Sequence, residues 1–234
     1  MSRQEILQQL ADVIASIKYS HPVRMAIDGI DAAGKTRLAD ELAPLIERRG
    51  RPVIRASIDG FHRPRQERYR QGRDSPEGYY EDSFDYAGLR EVLLMPLGPH
   101  GTRHYRRAVF DVGIDAPLET KEEVAPLDAV LLFDGVFLLR PELEDVWDYR
   151  IFINVDFEVA LQRAIRRDLT HLGSVEAVRA HYLQRYFSGQ KIYLQVVQPE
   201  ERADVIVEND DPAQPGLVFR ASGELQGVDR NEVP

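Results

Sequence analysis

The run Val23-Arg24-Met25-Ala26-Ile27-Asp28-Gly29-Ile30-Asp31-Ala32-Ala33-Gly34-Lys35-Thr36 decides the fold. Val23 to Ile27 is a short, mostly apolar stretch of the kind that forms a strand, and Asp28-Gly29 ends it. Gly29 to Thr36 then spells G-x-x-x-x-G-K-T, a phosphate-binding loop. From Lys35 to Arg49, Leu38, Leu42, Leu45 and Ile46 recur at helical spacing, with Pro44 predicting a kink or an early end. The glycines let successive N–H groups turn inward, and the helix N-terminus adds its partial positive charge, so the loop cradles phosphate. Gly29, Asp31, Ala32, Ala33, Gly34, Lys35, Thr36 and Arg37 are the expected nucleotide-binding set. Lys35 is expected at the β- and γ-phosphates and the Thr36 hydroxyl on Mg²⁺.

Outward from this loop, strands alternate with helices. Ile6, Leu10, Val13, Ile14 and Ile17 predict an amphipathic first helix. Gly50-Arg51-Pro52 breaks the chain before a second strand, Val53 to Ile58. Residues 59–85 read as irregular, with a helix over Tyr86 to Leu94 and a strand near Tyr105 to Phe110. Ala129 to Phe133 and Arg150 to Val155 are short apolar runs typical of buried parallel strands. Phe157 to Asp168 and Val175 to Tyr193 predict helices separated by Leu172-Gly173-Ser174, and Val205 to Val207 a last strand. The pattern predicts an α/β fold with a mainly parallel sheet. The domain is expected to cover residues 1–208, and residues 209–234 to form a partly disordered tail.

The 234 residues fit one domain, and 43% hydrophobic content fits a sizeable core. A net charge of −9 repels a polyanion, so no nucleic-acid partner is expected. With no cysteine, thiol nucleophiles and Cys-ligated zinc are excluded. The histidines show no metal-ligand spacing. No apolar run approaches a membrane span or a secretory core, so the expectation is a cytoplasmic protein with no membrane partner. The sequence leaves oligomeric state open, a homo-oligomer included.

Four further groups carry chemistry. Asp59 follows the second strand, where ligands of parallel sheets gather; it is either a proton acceptor for an attacking hydroxyl or a turn Asp before Gly60. Asp134 follows Val130-Leu131-Leu132-Phe133 and is either a Mg²⁺ ligand or a turn Asp before Gly135. Arg163 and Arg167 share one helix face, as a phosphoryl clamp or as solvated charge. Arg63, Arg65, Arg68, Arg70 and Arg73 crowd one loop, and Arg103, His104, Arg106 and Arg107 another; each fits an anionic substrate or plain solvated surface.

In order along residues 23–208, these markers resemble the uridine kinase branch of P-loop small-molecule kinases, with phosphoribulokinase and bacterial pantothenate kinase as relatives. They are the loop Gly29 to Thr36, Ser57-Ile58-Asp59-Gly60-Phe61-His62, Asp82-Ser83-Phe84-Asp85, Ala108-Val109-Phe110-Asp111 and Leu132-Phe133-Asp134-Gly135-Val136. The arginine-rich Arg163 to Asp168, then Gln198-Pro199 and Ala203-Asp204-Val205-Ile206-Val207, complete the set. The resemblance implies a P-loop NTPase three-layer sandwich with a five-stranded, mainly parallel sheet and a helical lid over about 163–190. It implies Mg-ATP as phosphoryl donor and a hydroxyl of a small metabolite, a nucleoside or other sugar-like compound, as acceptor. Asp59 becomes the base, and Arg163 and Arg167 the clamp, with Lys35 assisting. Asp59, Phe61, His62, Tyr79, Arg106, Phe110 and Asp115 become the acceptor-binding set, and Thr36 and Asp134 the metal pair. Phe110 and Asp115 stand where uridine kinases carry a Tyr and a His, Tyr79 stands near a family Asp, and His171-Leu172-Gly173-Ser174 replaces E-R-G-R. Kinase chemistry therefore carries over better than uridine specificity. The rival is a regulatory nucleotide-binding protein without an acceptor; a GTPase of that class needs N-K-x-D, which the chain lacks.

Overall fold

The computed structural model describes residues 1–220. A six-stranded sheet forms the centre: β1 (Val23–Gly29), β2 (Val53–Ser57), β3 (Val130–Asp134), β4 (Tyr149–Asn154), β5 (Val205–Glu208) and β6 (Gly216–Phe219), in spatial order β6-β5-β4-β1-β3-β2. The first five run parallel, as the sequence predicts; β6 pairs antiparallel to β5. Every residue of β1 and β3 is buried, because both faces of the sheet are covered.

Helix α1 (Arg3–Ser16) starts in a capping box made by Ser2 and Glu5 and buries Ile6, Leu10, Ala11 and Ile14 against one face. Beside it, α2 (Lys35–Glu47) buries Leu38, Ala39, Leu42, Leu45 and Ile46. Pro44 lies inside this helix, three residues before its last residue, Glu47. The other face carries the aromatic core of Phe61, Phe133, Phe137, Trp147 and their neighbours.

Three differences from the sequence expectation have physical causes. The stretch 59–85 is more ordered than its composition predicts, with a helix α3 (Pro76–Asp82) capped by Ser75. Its arginines make this possible: Arg68 binds Asp115 at 2.7 Å and Arg70 binds Asp82 at 2.7 Å. The expected strand near Tyr105 to Phe110 resolves into two short pairings, His104–Tyr105 with Glu123–Val124 and Phe110–Asp111 with Ala116–Pro117. Finally, the sheet does not stop at residue 208. β6 lies in what the sequence assigns to the tail, and Asn209 is 4% exposed. The rest of that tail expectation, 221–234, lies outside the described residues.

The helical segment over the site runs through α4 (Phe157–Leu172), α5 (Val175–His181) and α6 (Phe187–Val197). α4 extends four residues past the predicted end and stops on Gly173, whose φ of 82° a side chain would resist. Between α5 and α6 a widened helical turn spans Tyr182–Tyr186, a deformation often found at functional sites.

Candidate active site

β1 has β3 on one side and β4 on the other, so the chain leaves it at the point where strand order reverses. Crevices at the carboxyl ends of such strands are where α/β proteins bind ligands. A cavity of about 660 Å³ opens there.

The phosphate loop forms its floor. Gly29 must be glycine: a Cβ would sit 2.6 Å from the Ile153 carbonyl oxygen. Gly34 has φ 100° and starts α2 with no side-chain cap, so the first N–H groups of α2 remain available to an anion. Lys35 Nζ donates to the carbonyls of Gly29 (3.0 Å) and Ile30 (2.7 Å), which folds the ammonium back over the loop. Burial pushes its pKa down, while the carboxylates of Asp31, Asp28, Asp134 and Asp59 push it up.

Thr36 and Asp134 stand together. The Thr36 hydroxyl donates to Asp134 Oδ2 at 2.6 Å, and Arg55 donates to Asp134 Oδ1 at 3.0 Å. Two hard oxygens side by side at the phosphate floor suit Mg²⁺, which usually takes one or two protein oxygens and completes its shell with phosphates and water. Asp59 ends the β2 side of the cleft, its backbone N–H held by Ser57 Oγ at 3.3 Å. Its carboxyl is surrounded by protein yet open to the cavity; burial pushes its pKa up, and His62 pulls it back. His62 Nδ1 lies 3.0 Å from the Asp59 carbonyl, and burial pushes the imidazole pKa down.

From the helical segment, Arg163, Arg167, Asp168, His171, Tyr182 and Tyr186 face the same cavity. Arg163 donates to the carbonyls of Asn209 (2.6 Å) and Asp210 (3.0 Å). Arg167 pairs with Asp168 (2.8 Å) and the Tyr182 hydroxyl (2.6 Å).

Of the residues expected from sequence, the cavity wall brings together Asp31, Ala32, Gly34, Lys35, Thr36, Arg37, Asp59, His62, Tyr79, Asp134, Arg163 and Arg167. Gly29 and Ala33 are buried within the loop and do not reach the wall. Phe61 is fully buried, against Phe133 with ring centroids 6.0 Å apart. Phe110 is 6% exposed and, with Arg106, stands off the wall. The Asp115 carboxylate is taken by the Arg65 N–H (2.9 Å) and the Arg68 guanidinium (2.7 Å). Of the second arginine cluster, Arg103 donates to the Ala125 carbonyl and Arg107 pairs with Glu123. These two are spent on structure.

Sequence reasoning missed residues that brace the site. Asp28 is fully buried and accepts from the Gly29 N–H at 2.8 Å and from the Tyr193 hydroxyl. Asn209 Nδ2 donates to the Ala33 carbonyl at 2.7 Å, tying the end of β5 to the loop. The one signal for Asp28 was a carboxylate inside an apolar strand; Asn209 carried none.

The chain is 28% identical over 196 residues to uridine kinase from Leuconostoc citreum, an alignment covering 80% of this chain and 87% of that one. A structure described as a possible uridine kinase from Bacillus stearothermophilus superposes with a TM-score of 0.68 at 22% identity, over 87% of this chain and 97% of the other. The chain is similar to uridine kinases over most of its length, and these matches support an ATP-dependent P-loop small-molecule kinase. This kinase also shares its fold with D-glycerate 3-kinase from Cryptococcus neoformans, at a TM-score of 0.65 and 14% identity over 92% and 99% of the two chains. No family model matches the kinase. Acceptors as different as those two names print are therefore served by one scaffold, and only the site can speak to the acceptor.

Proposed function

We propose that this ATP-dependent kinase transfers the γ-phosphoryl group of Mg-ATP to a hydroxyl of a small sugar-like metabolite, with Asp59 as the base. The observation that carries the reading is one cavity in which Lys35, the Thr36–Asp134 pair, Asp59 and Arg167 converge. The acceptor oxygen, its proton passing to Asp59, bonds to the γ-phosphorus as the bond to the β–γ bridging oxygen breaks, and ADP departs. Lys35 and the N–H groups of the loop and α2 hold the phosphates. Thr36 and Asp134 would hold Mg²⁺, which when bound spreads the negative charge of the β- and γ-oxygens. Arg163 and Arg167 would close on the phosphoryl group from above, excluding water.

Among the described residues no helix is long and apolar enough to cross a membrane, and a cytoplasmic location with a metabolite as partner fits this chemistry. The test is ADP release with saturating Mg-ATP, measured with and without a panel of nucleosides, sugars and hydroxy acids. Release that rises with one acceptor supports the kinase; release independent of every acceptor favours the nucleotide-binding regulator.

A further inference from the structure

Asp31 sits in the phosphate loop, and by motif alone it belongs to the nucleotide. Its bonds turn it the other way. Its backbone N–H donates to Gln190 Oε1 at 3.3 Å, so this N–H is already committed to α6. Its Oδ2 accepts from Gln190 Nε2 at 2.8 Å and from the Tyr79 hydroxyl at 3.1 Å. Gln190 is 1% and Tyr79 6% exposed, so both donors are fixed in the protein interior. The carboxylate thus faces the wall built by α3 and α6. Among the described residues, Oδ1 has no hydrogen-bond partner while the residue lines the cavity.

The surroundings decide what that oxygen can take. Tyr79 packs on Tyr186 with centroids 4.8 Å apart, and Tyr186 on His181 at 4.6 Å; all three line the cleft. Of the five loop arginines that by sequence would attract an anion, Arg68 and Arg70 are bound to Asp115 and Asp82, and none of the five lines the cavity. Arg167 is ion-paired to Asp168. The acceptor end therefore presents two carboxylates, Asp31 and Asp59, beside aromatic rings. A carboxylate accepts hydrogen bonds only, and it repels an anion strongly where water is scarce.

We infer that Asp31 is a specificity-determining residue for the acceptor, taking a hydroxyl or ammonium donor and selecting uncharged or cationic ring-bearing acceptors against anionic ones. This rests on the kinase reading above. The same carboxylate lies within electrostatic reach of Lys35, so removing it takes a negative charge away from the site that receives the ATP phosphates.

The probes are 5-aminomethyluridine, uridine and 5-carboxyuridine, one ring carrying positive, zero and negative charge. ADP formation is measured for each at saturating Mg-ATP, and ATP affinity separately with a fluorescent mant-ATP. The wild-type kcat/KM should fall along that order, with the carboxylate at least about ten-fold below the amine. A hydrogen bond to a charged group corresponds to about ten- to hundred-fold, and Asp31→Asn should narrow the gap by that factor while mant-ATP binds equally or more tightly. Tyr79→Phe, which keeps the carboxylate and removes one of its donors, should shift acceptor KM in the same direction by less. A gap unchanged in Asp31→Asn, 5-carboxyuridine used as well as the amine, or weaker mant-ATP binding in Asp31→Asn overturns the assignment. Tight mant-ATP binding with no turnover of any probe overturns the acceptor class; failure of the wild type to bind mant-ATP overturns the kinase reading itself.

Discussion

The Tyr193 hydroxyl, on α6, donates to the carboxylate of Asp28, the last side chain of β1 before the phosphate loop. The same hydroxyl accepts from the Leu139 N–H at 3.1 Å. With Gln190 on Asp31, one helix thus grips the loop at two carboxylates, and the helical segment over the site is fastened at its α6 end to the floor it covers.

This contact has a pH signature. Burial raises the Asp28 pKa from 3.8 to about 6, against the opposing hydrogen bonds from Tyr193 and Gly29 and the Lys35 charge. Between these values the folded state keeps a proton that the unfolded chain releases. The contribution to stability is thus complete below pH 3.8 and lost as pH rises through 6. At about 1.4 kcal/mol per pH unit the span is on the order of 3 kcal/mol. Urea denaturation of Asp28→Asn against wild type should show the variant gaining relative stability from pH 5 to pH 8. Tyr193→Phe should lose about 1–3 kcal/mol, more at pH 8 than at pH 5, because the ionised carboxylate needs the donor more. Differences that stay flat with pH would remove Asp28 as the titrating group.

Asp59 should separate from Lys35 in kinetics. Asp59→Asn keeps the shape and removes the proton acceptor, so kcat should fall by about 10²–10⁴-fold with ATP affinity preserved. Lys35→Ala should lose ATP affinity and turnover together. Because burial raises the Asp59 pKa above 3.8, the acid limb of the wild-type kcat profile should fall at a pH above that value, the base being lost as it protonates. Turnover of Asp59→Asn equal to wild type at saturating acceptor refutes the assignment. The two carboxylates of the Asp82-Ser83-Phe84-Asp85 segment are already engaged: Asp82 binds Arg70 and Gln71, and Asp85 caps the helix after it through the Gly88 N–H.

How much of this was legible depended on range. The loop, its strand and α2 follow from local pattern, because glycine geometry and helical spacing act over a few residues. Asp59, Asp134, Arg163 and Arg167 needed the ordered motifs, since each alone is a turn or a solvated charge. Asp115 and Phe110 show the limit. Position along the chain matched a base-recognition pair, but Arg68, 47 residues away, claims the carboxylate. Asn209 and β6 were read as tail because Pro212, Pro215 and the glycines mark irregular chain, and a single antiparallel pairing with β5 overrides that composition.

The helical segment should close on ligand. Arg167 is paired with Asp168 and Tyr182, so reaching a phosphoryl group requires exchanging those partners, and Gly173 supplies a break between α4 and α5. Hydrogen exchange over residues 163–190 should slow when a non-hydrolysable ATP analogue and an acceptor bind together, more than with either alone. Protection unchanged by the pair argues against a lid.

Arg55 should act on the metal site without touching the phosphates. From β2 it donates to Asp134 Oδ1 at 3.0 Å and to the Leu132 carbonyl at 2.9 Å, and it pairs with Asp40 at 2.9 Å. Asp134 is 3% exposed, so its orientation depends on few donors. Two effects of removing Arg55 oppose each other. Losing a nearby positive charge favours a cation, whereas losing the donor frees the carboxylate to turn away from Thr36. Outer-shell partners of metal ligands typically govern affinity by about 10–100-fold, and the fixed geometry that Mg²⁺ demands makes orientation the larger effect. Arg55→Met should therefore weaken Mn²⁺ binding, read by electron paramagnetic resonance in the presence of an ATP analogue, by about that factor. Arg55→Lys, which restores charge but only part of the donor fork, should recover a fraction of it. Tighter Mn²⁺ binding in Arg55→Met would mean that charge, not orientation, governs the pair, and Arg55 would then be a brake on the metal site.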